Sequence, residues 1–344
     1  MYETYYNFSS VPFQLTPDIK YFFGSKGHSR AIAHLIYGLS QGEGFIVITG
    51  EVGAGKTTLV ERLWSQLDRD TYTIARIATT QVSGEDLFRL AMAGFGLEDD
   101  APGRANLLRK FDQLLQQHQR AGQRCLLVVD EAQNLSVAAL EELRMLSNVT
   151  GNGGGALQTI LLGQPQFRKI LASPDLDQLR QRVLASYHLG PLSEEETRSY
   201  IEHRLRLGGW DGNNPQWENG AFSAIYRHSD GIPRRINRLC SRALMHGALD
   251  ETHMITLTMI ESTASELQDD LRGGVPEGQD HMSANLNPQP PQPPMPSNGL
   301  ELSVEERRLL SNLVYRVEAL EERVGRREQL FQRLAAIFAG DTMK

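Results

Sequence analysis

The chain has 344 residues, of which 40% are apolar and 22% are charged, a balance that is typical of globular proteins and that excludes a fibrous or wholly disordered chain. The formal net charge of −7 gives the molecule as a whole no basic surface for nucleic acid, although a local basic patch remains compatible with it. Only two cysteines occur, Cys125 and Cys240, in no metal-type spacing, which favours a reducing compartment.

The start of the chain lacks the pattern of an export signal. Residues 1–23, "MYETYYNFSSVPFQLTPDIKYFF", are aromatic and polar, whereas a signal peptide has a basic start followed by a continuous apolar core. The sequence also contains no run of about 18 or more apolar residues that could span a bilayer. We therefore expect a cytoplasmic protein without a membrane span.

Residues 1–192 alternate between strand-like and helical patterns. In the segment "TLVERLWSQL", for example, apolar residues recur on one helical face at Leu59, Val60, Leu63 and Leu67. The strand candidates are "FIVIT" (45–49), "TIARIA" (73–78), "CLLVVD" (125–130), "TILLG" (159–163) and "SYHLGPL" (186–192). Such alternation predicts an α/β domain with a parallel sheet between layers of helices.

The pattern becomes purely helical over residues 193–272. Ser193 followed by Glu196 predicts a capping box at the start of the first helix. Pro233 falls in the first turn of a later helix, where proline is well tolerated. We expect a small helical lid domain here.

Two further segments follow the predicted lid. Residues 273–299 have little to bury and contain six prolines between Pro288 and Pro296, which predicts a flexible, solvated linker. Residues 300–344 predict an amphipathic, coiled-coil-like helix; the alternative is an amphipathic helix that packs on its own globular domain. The apolar positions with this spacing are Leu310, Leu313, Val317, Leu320, Val324, Phe331, Leu334 and Phe338.

A phosphate-binding loop is predicted between the first strand and the helix that follows it. The segment "GEVGAGKT" matches G-x-x-x-x-G-K-[ST] and has the strand-to-helix context that this motif requires. Its glycines let successive backbone N–H groups point at phosphate oxygens, and the N-terminus of the helix adds partial positive charge. The predicted nucleotide-binding residues are Gly50, Glu51, Val52, Gly53, Ala54, Gly55, Lys56, Thr57 and Thr58.

Within this loop, Lys56 is the residue expected to reach the β- and γ-phosphates of ATP. The hydroxyl of Thr57 is expected to hold Mg²⁺. An acidic pair at the end of the "CLLVVD" strand, Asp130 and Glu131, supplies a second, separate signal. The carboxyl ends of parallel strands face the crevice in which open α/β sheets bind ligands. We therefore expect Asp130 to be a metal-side carboxylate and Glu131 to activate the attacking water.

Residues 1 to about 270 resemble the AAA+ ATPases of the general secretion pathway A type (ExeA-like). The segments that carry the resemblance are "PFQLTPDIKYFF", "GFIVITGEVGAGKTTLVERL", "VVDEAQNL", "LLGQPQF", "LRQRV", "YHLGPLSEEET" and "GIPRRINRLC". By overall similarity, the chain is also similar to the secretion-type ATPases encoded with exosortase (PEP-CTERM) exopolysaccharide systems. The resemblance implies an AAA+ P-loop fold whose five-stranded parallel sheet has the order 5-1-4-3-2.

The resemblance also implies roles for residues outside the two motifs. Gln164 matches the polar sensor that follows the fourth strand. Arg182 lies where AAA+ proteins place the arginine finger that reaches a neighbouring subunit's nucleotide, with Arg180 as its rival. Arg234 matches the second sensor, which the lid carries, while Arg235 beside it matches a surface residue.

Three residues near the start, His28, Phe13 and Phe22, are candidates either for a wall around adenine or for core packing. We do not expect binding to the cell wall, because the residues after the lid pattern predict a linker and an amphipathic helix and not a peptidoglycan-binding part.

The expected function is that of an ATP- and Mg²⁺-dependent ATPase that drives assembly or remodelling of an envelope export or exopolysaccharide system. Its expected partners are other copies of the chain and a protein component of that system, which would recruit it to the inner face of the membrane. The rival hypothesis is a DNA-directed AAA+ ATPase similar to transposition-helper proteins; the acidic net charge argues against it, while the basic segment "RHSDGIPRRINRLCSR" leaves it open. A scaffold with an inactive site is disfavoured, because the lysine, threonine and acidic pair are all present.

Overall fold

A computed structural model of the chain describes residues 2–67, 71–78, 83–97, 103–149 and 157–272. The predicted linker at 273–299 and the heptad pattern at 300–344 lie outside the described residues. Within those ranges, no helix combines the length and the apolar character needed to cross a membrane.

Five parallel strands form the central sheet, in the order β2-β3-β4-β1-β5. Their bounds are Phe45–Gly50 (β1), Tyr72–Ala78 (β2), Arg124–Asp130 (β3), Gln158–Gly163 (β4) and Val183–Leu189 (β5). Every residue of β1 and β4 is buried, because these inner strands have helices on both faces. The order is the one that the AAA+ resemblance implies, read from the opposite edge, so the predicted fold class is confirmed.

Helices cover both faces of this sheet. They are Lys26–Gln41 (α2), Lys56–Trp64 (α3), Gly84–Gly94 (α4), Arg104–Arg120 (α5), Val137–Leu146 (α6), Gln166–Leu171 (α7) and Asp177–Arg180 (α8). The first helix, Tyr2–Tyr5 (α1), packs elsewhere, with the later helical region. Helices α2 and α3 pack on one face, and α4, α5 and α6 on the other. Helices α2, α4 and α6 begin at N-cap serines, Ser25, Ser83 and Ser136, whose side chains accept hydrogen bonds from backbone N–H groups of the first turn.

The region after the sheet is helical, as its pattern predicts. It consists of Glu194–Leu207 (α9), Asn219–Ser229 (α10), Pro233–Leu249 (α11) and Leu257–Arg272 (α12). The predicted capping box is present, with reciprocal hydrogen bonds between Ser193 and Glu196. A detail that the sequence does not predict is a two-stranded parallel pairing of Gln216–Trp217 (β6) with Met254–Ile255 (β7).

The structure corrects two expectations about the first 192 residues. The fifth strand begins at Val183 and ends at Leu189, three residues earlier than predicted, because the segment Gly190–Pro191 does not continue it. The second correction concerns the start of the chain, which the sequence pattern assigns to the sheet domain. Its buried aromatic side chains, Tyr2, Tyr6, Phe8 and Phe13, pack in one hydrophobic cluster with α9–α12.

We call residues 2–14 the N-terminal arm. The arm is also hydrogen-bonded to the helical region: the Tyr6 hydroxyl donates to the Thr252 carbonyl oxygen at 3.0 Å, and the Ser9 N–H donates to the Gly208 carbonyl oxygen at 2.8 Å. The chain then crosses from the helical region to α2, and this crossing borders the cleft described next.

Candidate nucleotide-binding site

A cleft of about 300 Å³ opens at the carboxyl end of β1, between the sheet and the helical region. Four parts of the chain line it: the predicted phosphate-binding loop, the crossing segment after the N-terminal arm, Glu131 after β3, and the helical region through the second half of α9 and the start of α11. The lining includes Val52, Gly53, Gly55, Lys56, Thr57, Thr58, Glu131 and Arg234 among the predicted site residues. The cleft therefore unites residues that are up to about 180 positions apart in sequence.

The loop between β1 and α3 has the backbone that its glycines predict. Gly53 and Gly55 have φ values of +82° and +97°, in the left-handed region that residues with a side chain rarely adopt. A Cβ at Gly50 would lie 2.6 Å from the Leu189 carbonyl oxygen, so the strand also requires glycine at its last residue. These glycines form the turn that joins β1 to the N-terminus of α3, where the partial positive charge of a helix favours phosphate.

Lys56 is buried at the base of this loop. Its Nζ donates to the carbonyl oxygens of Gly50 at 2.8 Å and Glu51 at 3.0 Å. Burial lowers the pKa of Lys56 from its usual 10.5, and nearby carboxylates, Glu131 first, oppose this shift. The loop thus holds its ammonium group where phosphate oxygens would meet it.

Thr57 and Asp130 meet as expected. The Thr57 hydroxyl donates to Asp130 Oδ2 at 2.8 Å, so the first turn of α3 and the end of β3 present a hydroxyl and a carboxylate side by side. The same Oδ2 accepts a hydrogen bond from Arg76 at 3.3 Å. The hydroxyl and the carboxylate are the hard oxygen donors that Mg²⁺ prefers.

Glu131 is held by two amide side chains. Its Oε2 accepts from Gln133 Nε2 at 2.5 Å and from Gln164 Nε2 at 3.1 Å, and the Gln164 N–H donates to Gln133 Oε1 at 2.9 Å. Burial raises the pKa of Glu131, but these two side-chain hydrogen bonds and the Lys56 charge outweigh it, and the net pKa lies below the usual 4.5.

The backbone conformation of Glu131 is a second sign that this residue belongs to a functional site. Its φ is +53°, a strained value for a residue with a side chain, and such strain is concentrated at functional sites. Glu131 is therefore an ionised carboxylate that is held in a fixed orientation at the carboxyl end of β3.

The helical region reaches the loop at Arg234. Its N–H donates to the Gly53 carbonyl oxygen at 3.2 Å, and a Cβ at Gly53 would lie 2.3 Å from the Arg234 Cβ. The Arg234 side chain lines the cleft, whereas its neighbour Arg235 is paired with Asp230.

The three candidates for an adenine wall have different positions. Phe22 and His28 line the cleft, but Phe13 is buried in the cluster of the helical region. His28 Nδ1 lies 2.7 Å from Ser25 Oγ, and a Cβ at Gly55 would lie 2.9 Å from its Nε2. Burial lowers the pKa of His28 from its usual 6.5, so this ring packs against the loop in the neutral form.

The structure does not bring Arg182 to this cleft. Its carbonyl oxygen accepts from the Phe45 N–H at 2.9 Å, at the opposite end of β1, roughly 16 Å of strand away from Gly50. Its guanidinium donates to Ser147 Oγ at 3.2 Å. The rival, Arg180, forms an ion pair with Asp177 and donates to the Leu171 carbonyl oxygen.

Comparison with known proteins agrees with this geometry. Residues 39–171 match the family described as AAA domain. Over 271 residues the chain is 39% identical to general secretion pathway protein A of Aeromonas hydrophila. Residues 39–171 thus match an AAA domain, and the chain is similar to general secretion pathway protein A. The alignment covers 78% of this chain and 48% of the relative, so the chain spans about half the length of that protein.

Solved structures share the fold of this chain at low sequence identity. Cdc6p of Pyrobaculum aerophilum has a TM-score of 0.56 and 15% identity, covering 80% of this chain and 74% of that one. The ORC2 protein of Aeropyrum pernix has a TM-score of 0.54 and 18% identity, covering 70% and 67%. For a variant of RuvB from Thermotoga maritima, the values are 0.51 and 19%, covering 74% and 73%.

Sequence reasoning misses two polar residues of the candidate site. Gln133 lies within the "DEAQ" segment, and its position two residues after Glu131 is the signal that could have found it. For Arg76 the signal is weaker: it is a charged residue within a predicted strand, and such a residue must face a polar site or an edge of the sheet.

Proposed function

We propose that this ATPase hydrolyses ATP to drive the assembly or remodelling of an envelope export or exopolysaccharide system of the PEP-CTERM type. The observation that carries the proposal is the cleft in which Lys56, Thr57, Asp130, Glu131 and Gln164 converge below Arg234. The name of the relative from Aeromonas hydrophila supports a role in secretion. In this proposal the protein works in the cytoplasm, as a homo-oligomer, and a protein component of the system recruits it to the inner face of the membrane.

Each polar residue of the cleft has a role in the proposed reaction. The N–H groups of Gly50–Thr58 and the ammonium of Lys56 bind the phosphates of ATP, since phosphoryl transfer depends mainly on positioning and charge stabilisation. Glu131, ionised and held by Gln133 and Gln164, orients the attacking water and accepts its proton. Gln164 joins this carboxylate to the end of β4 and so acts as a sensor of the γ-phosphate.

Thr57 and Asp130 would hold the magnesium ion that accompanies ATP. Their hydrogen-bonded hydroxyl and carboxylate, 2.8 Å apart, fit this ion because both are hard oxygen donors. When bound, magnesium supplies neutralisation of the charge that develops on the phosphate oxygens. Arg234 adds a positive charge from the helical region, and its contact with Gly53 ties that region to the phosphate-binding loop.

The DNA-directed alternative has no specific support from the described residues. The likeness to replication proteins and to RuvB, at 15% to 19% identity, concerns the fold alone.

Two substitutions test the proposed chemistry. Lys56→Ala removes a phosphate contact and is expected to weaken ATP binding by about tenfold or more. Glu131→Gln removes only the base and is expected to keep ATP binding while turnover falls about 10²-fold or more. Equilibrium binding of a fluorescent ATP analogue and steady-state phosphate release measure the two effects separately.

The biological setting is tested with the same variant. Glu131→Gln, loaded with ATP and immobilised, is expected to retain components of an export or polysaccharide system from cell extract, whereas Lys56→Ala is not.

Turnover by Glu131→Gln at the wild-type rate would contradict the assignment of the base. Duplex DNA that binds tightly, with steep salt dependence, and stimulates hydrolysis would favour the DNA-directed alternative.

A further inference from the structure

Four side chains from three elements form one polar cluster beside the phosphate-binding loop. Arg76 on β2 lies between two carboxylates: its Nη1 is 3.1 Å from Glu61 Oε1, and its Nη2 is 3.3 Å from Asp130 Oδ2. The same Asp130 oxygen accepts the Thr57 hydroxyl at 2.8 Å. The pair proposed to hold magnesium, Thr57 and Asp130, therefore already has a permanent cation on its carboxylate.

The fold fixes this arrangement. Ala78 pairs with Asp130 and Arg76 pairs with Val128 in the parallel register of β2 and β3. Side chains alternate between the faces of a sheet, so Arg76, Val128 and Asp130 lie on the same face. Asp130 is two residues beyond Val128, the residue that pairs with Arg76. Helix α3 packs on that same face.

On α3, Thr57 and Glu61 are four residues apart and so lie on one side of the helix. The helix therefore presents a hydroxyl and a carboxylate toward the two strands. The contacts of Arg76 with Glu61 and Asp130 follow from backbone geometry, since each of the three elements is a regular helix or strand with its side chains in a set direction.

The ion pairs are unequal in exposure. The side chain of Asp130 is 11% exposed, that of Glu61 is 25% exposed and that of Arg76 is 37% exposed. Charges act on one another more strongly where water is partly excluded, so the guanidinium affects the buried Asp130 carboxylate more than a surface ion pair would. Arginine also remains charged at every physiological pH.

We propose that Arg76 is a built-in counter-cation of the magnesium carboxylate and sets the magnesium concentration at which this ATPase binds nucleotide. The inference rests on the proposed function of the cleft and adds a positioning residue to it. The guanidinium of Arg76 opposes a divalent cation at Thr57 and Asp130, because like charges repel and both require the same carboxylate.

Glu61 changes how strongly Arg76 weakens the binding of magnesium. It holds the second side of the guanidinium at 3.1 Å, so Arg76 keeps one ion pair when its contact with Asp130 is weakened. The affinity of the site for magnesium is lowered by Arg76, and it is lowered further if Glu61 no longer competes with Asp130 for the guanidinium.

The test is a magnesium titration of nucleotide binding, read from the fluorescence of a non-hydrolysable, fluorescently labelled ATP analogue. Arg76→Gln keeps a polar side chain and removes the charge. We expect it to lower the magnesium concentration for half-maximal binding by about three- to tenfold. Arg76→Lys keeps the charge but has no fork to hold both carboxylates, so its magnesium requirement is expected to lie between those of the wild type and Arg76→Gln.

Glu61→Gln provides a second, oppositely directed measurement. It leaves Arg76 with Asp130 as its carboxylate partner, so the required magnesium concentration is expected to rise by about twofold or more. Arg227→Gln is the matched control, because it removes an arginine of a 3.1 Å ion pair with Glu261 in the helical region and is expected to change nothing in the titration.

The outcomes separate this inference from the function on which it rests. A wild-type chain that binds the labelled nucleotide neither with nor without magnesium overturns both. A wild-type chain with magnesium-dependent binding, together with an Arg76→Gln variant that needs as much magnesium or more, overturns the role of Arg76 alone. Should Arg76→Gln fail to fold, an unchanged or lowered requirement in Glu61→Gln has the same meaning.

Discussion

Gly53 joins the phosphate-binding loop to the helical region through a contact that leaves no space for a side chain. Two separate constraints act on this residue: its φ of +82°, and the 2.3 Å that would separate a Cβ from the Arg234 Cβ. The first constraint is a property of the loop by itself, which any P-loop sequence predicts. The second depends on how α11 approaches the loop, so only the folded chain reveals it.

A comparison of two glycines separates these constraints. Gly53→Ala is expected to lose about 1 kcal/mol to backbone strain and, in addition, to displace Arg234 and weaken ATP binding by about tenfold. Gly96→Ala is the matched control, because Gly96 has a φ of +75° but no atom within 4 Å of the added Cβ. Chemical unfolding and nucleotide-binding titrations measure both effects; equal ATP affinity in the two variants would contradict the importance of the Arg234 contact.

The arrangement of elements depends on a buried arginine at the join between α9 and the N-terminal arm. Arg204 is 6% exposed. It donates to the carbonyl oxygen of Pro12 at 2.6 Å and to the Tyr200 hydroxyl at 2.9 Å, and its guanidinium lies 4.6 Å from the centre of the Tyr21 ring. These hydrogen bonds go to neutral oxygens, so backbone carbonyls of the arm carry much of the stabilisation of this charge.

Removal of Arg204 tests whether the arm is a structural part of the helical region. Arg204→Ala is expected to lower the free energy of unfolding by about 2–3 kcal/mol, since several hydrogen bonds to a charged group are lost together. Amide exchange in the N-terminal arm, residues 2–14, is expected to become faster, while exchange in α10 and α11 changes less.

The control lies on the same helix. Arg198 is about half exposed and forms an i,i+4 ion pair with Glu202, so Arg198→Ala is expected to change stability by about 0.5 kcal/mol or less. Denaturant unfolding and hydrogen exchange by mass spectrometry compare the two variants. If both lost the same stability and the arm stayed protected, Arg204 would not be the residue that holds it.

For the whole molecule, the position of Arg182 is the feature that favours assembly. Its backbone pairs with Phe45 at the end of β1 that lies away from the cleft, so it is remote from the nucleotide site of its own chain. Arg180 is held by an ion pair with Asp177, whereas the Arg182 guanidinium donates to the neutral hydroxyl of Ser147, which makes Arg182 the better candidate for a residue that completes a neighbouring subunit's site. We propose that this ATPase is active as a homo-oligomer for that reason.

A mixing experiment tests the contribution between subunits. Arg182→Ala and Lys56→Ala are each expected to be inactive alone, because an arginine finger contributes about 10³ to 10⁵ in rate and Lys56 binds the phosphates. Mixed together, they are expected to regain part of the ATP turnover, since the Lys56→Ala subunit still offers its arginine to an intact site.

Arg180→Ala is the matched control and is expected to keep turnover near that of the wild type. Phosphate release at several ratios of the two inactive variants, at constant total protein, gives the measurement. An Arg182→Ala enzyme that no partner rescues, or one that is fully active alone, would show that the site is complete within one chain.

Features that have local causes could be predicted without the folded structure. Gly50–Thr58 could be recognised because the loop needs glycines, a lysine and a threonine in one continuous stretch between a strand and a helix. Asp130 and Glu131 could be placed because they lie at the end of an apolar strand, and the capping box at Ser193 because its two members are three residues apart.

Contacts between segments that are distant in sequence became visible only in the folded chain. The sheet order brings Gln164 from β4 to Glu131 after β3, the register of β2 and β3 puts Arg76 on Asp130, and the packing of aromatic side chains assigns the N-terminal arm to the helical region. None of these follows from periodicity, because a pattern gives the face on which a side chain lies but not the element that will cover that face. Hydrophobic burial makes that choice when all the elements pack together.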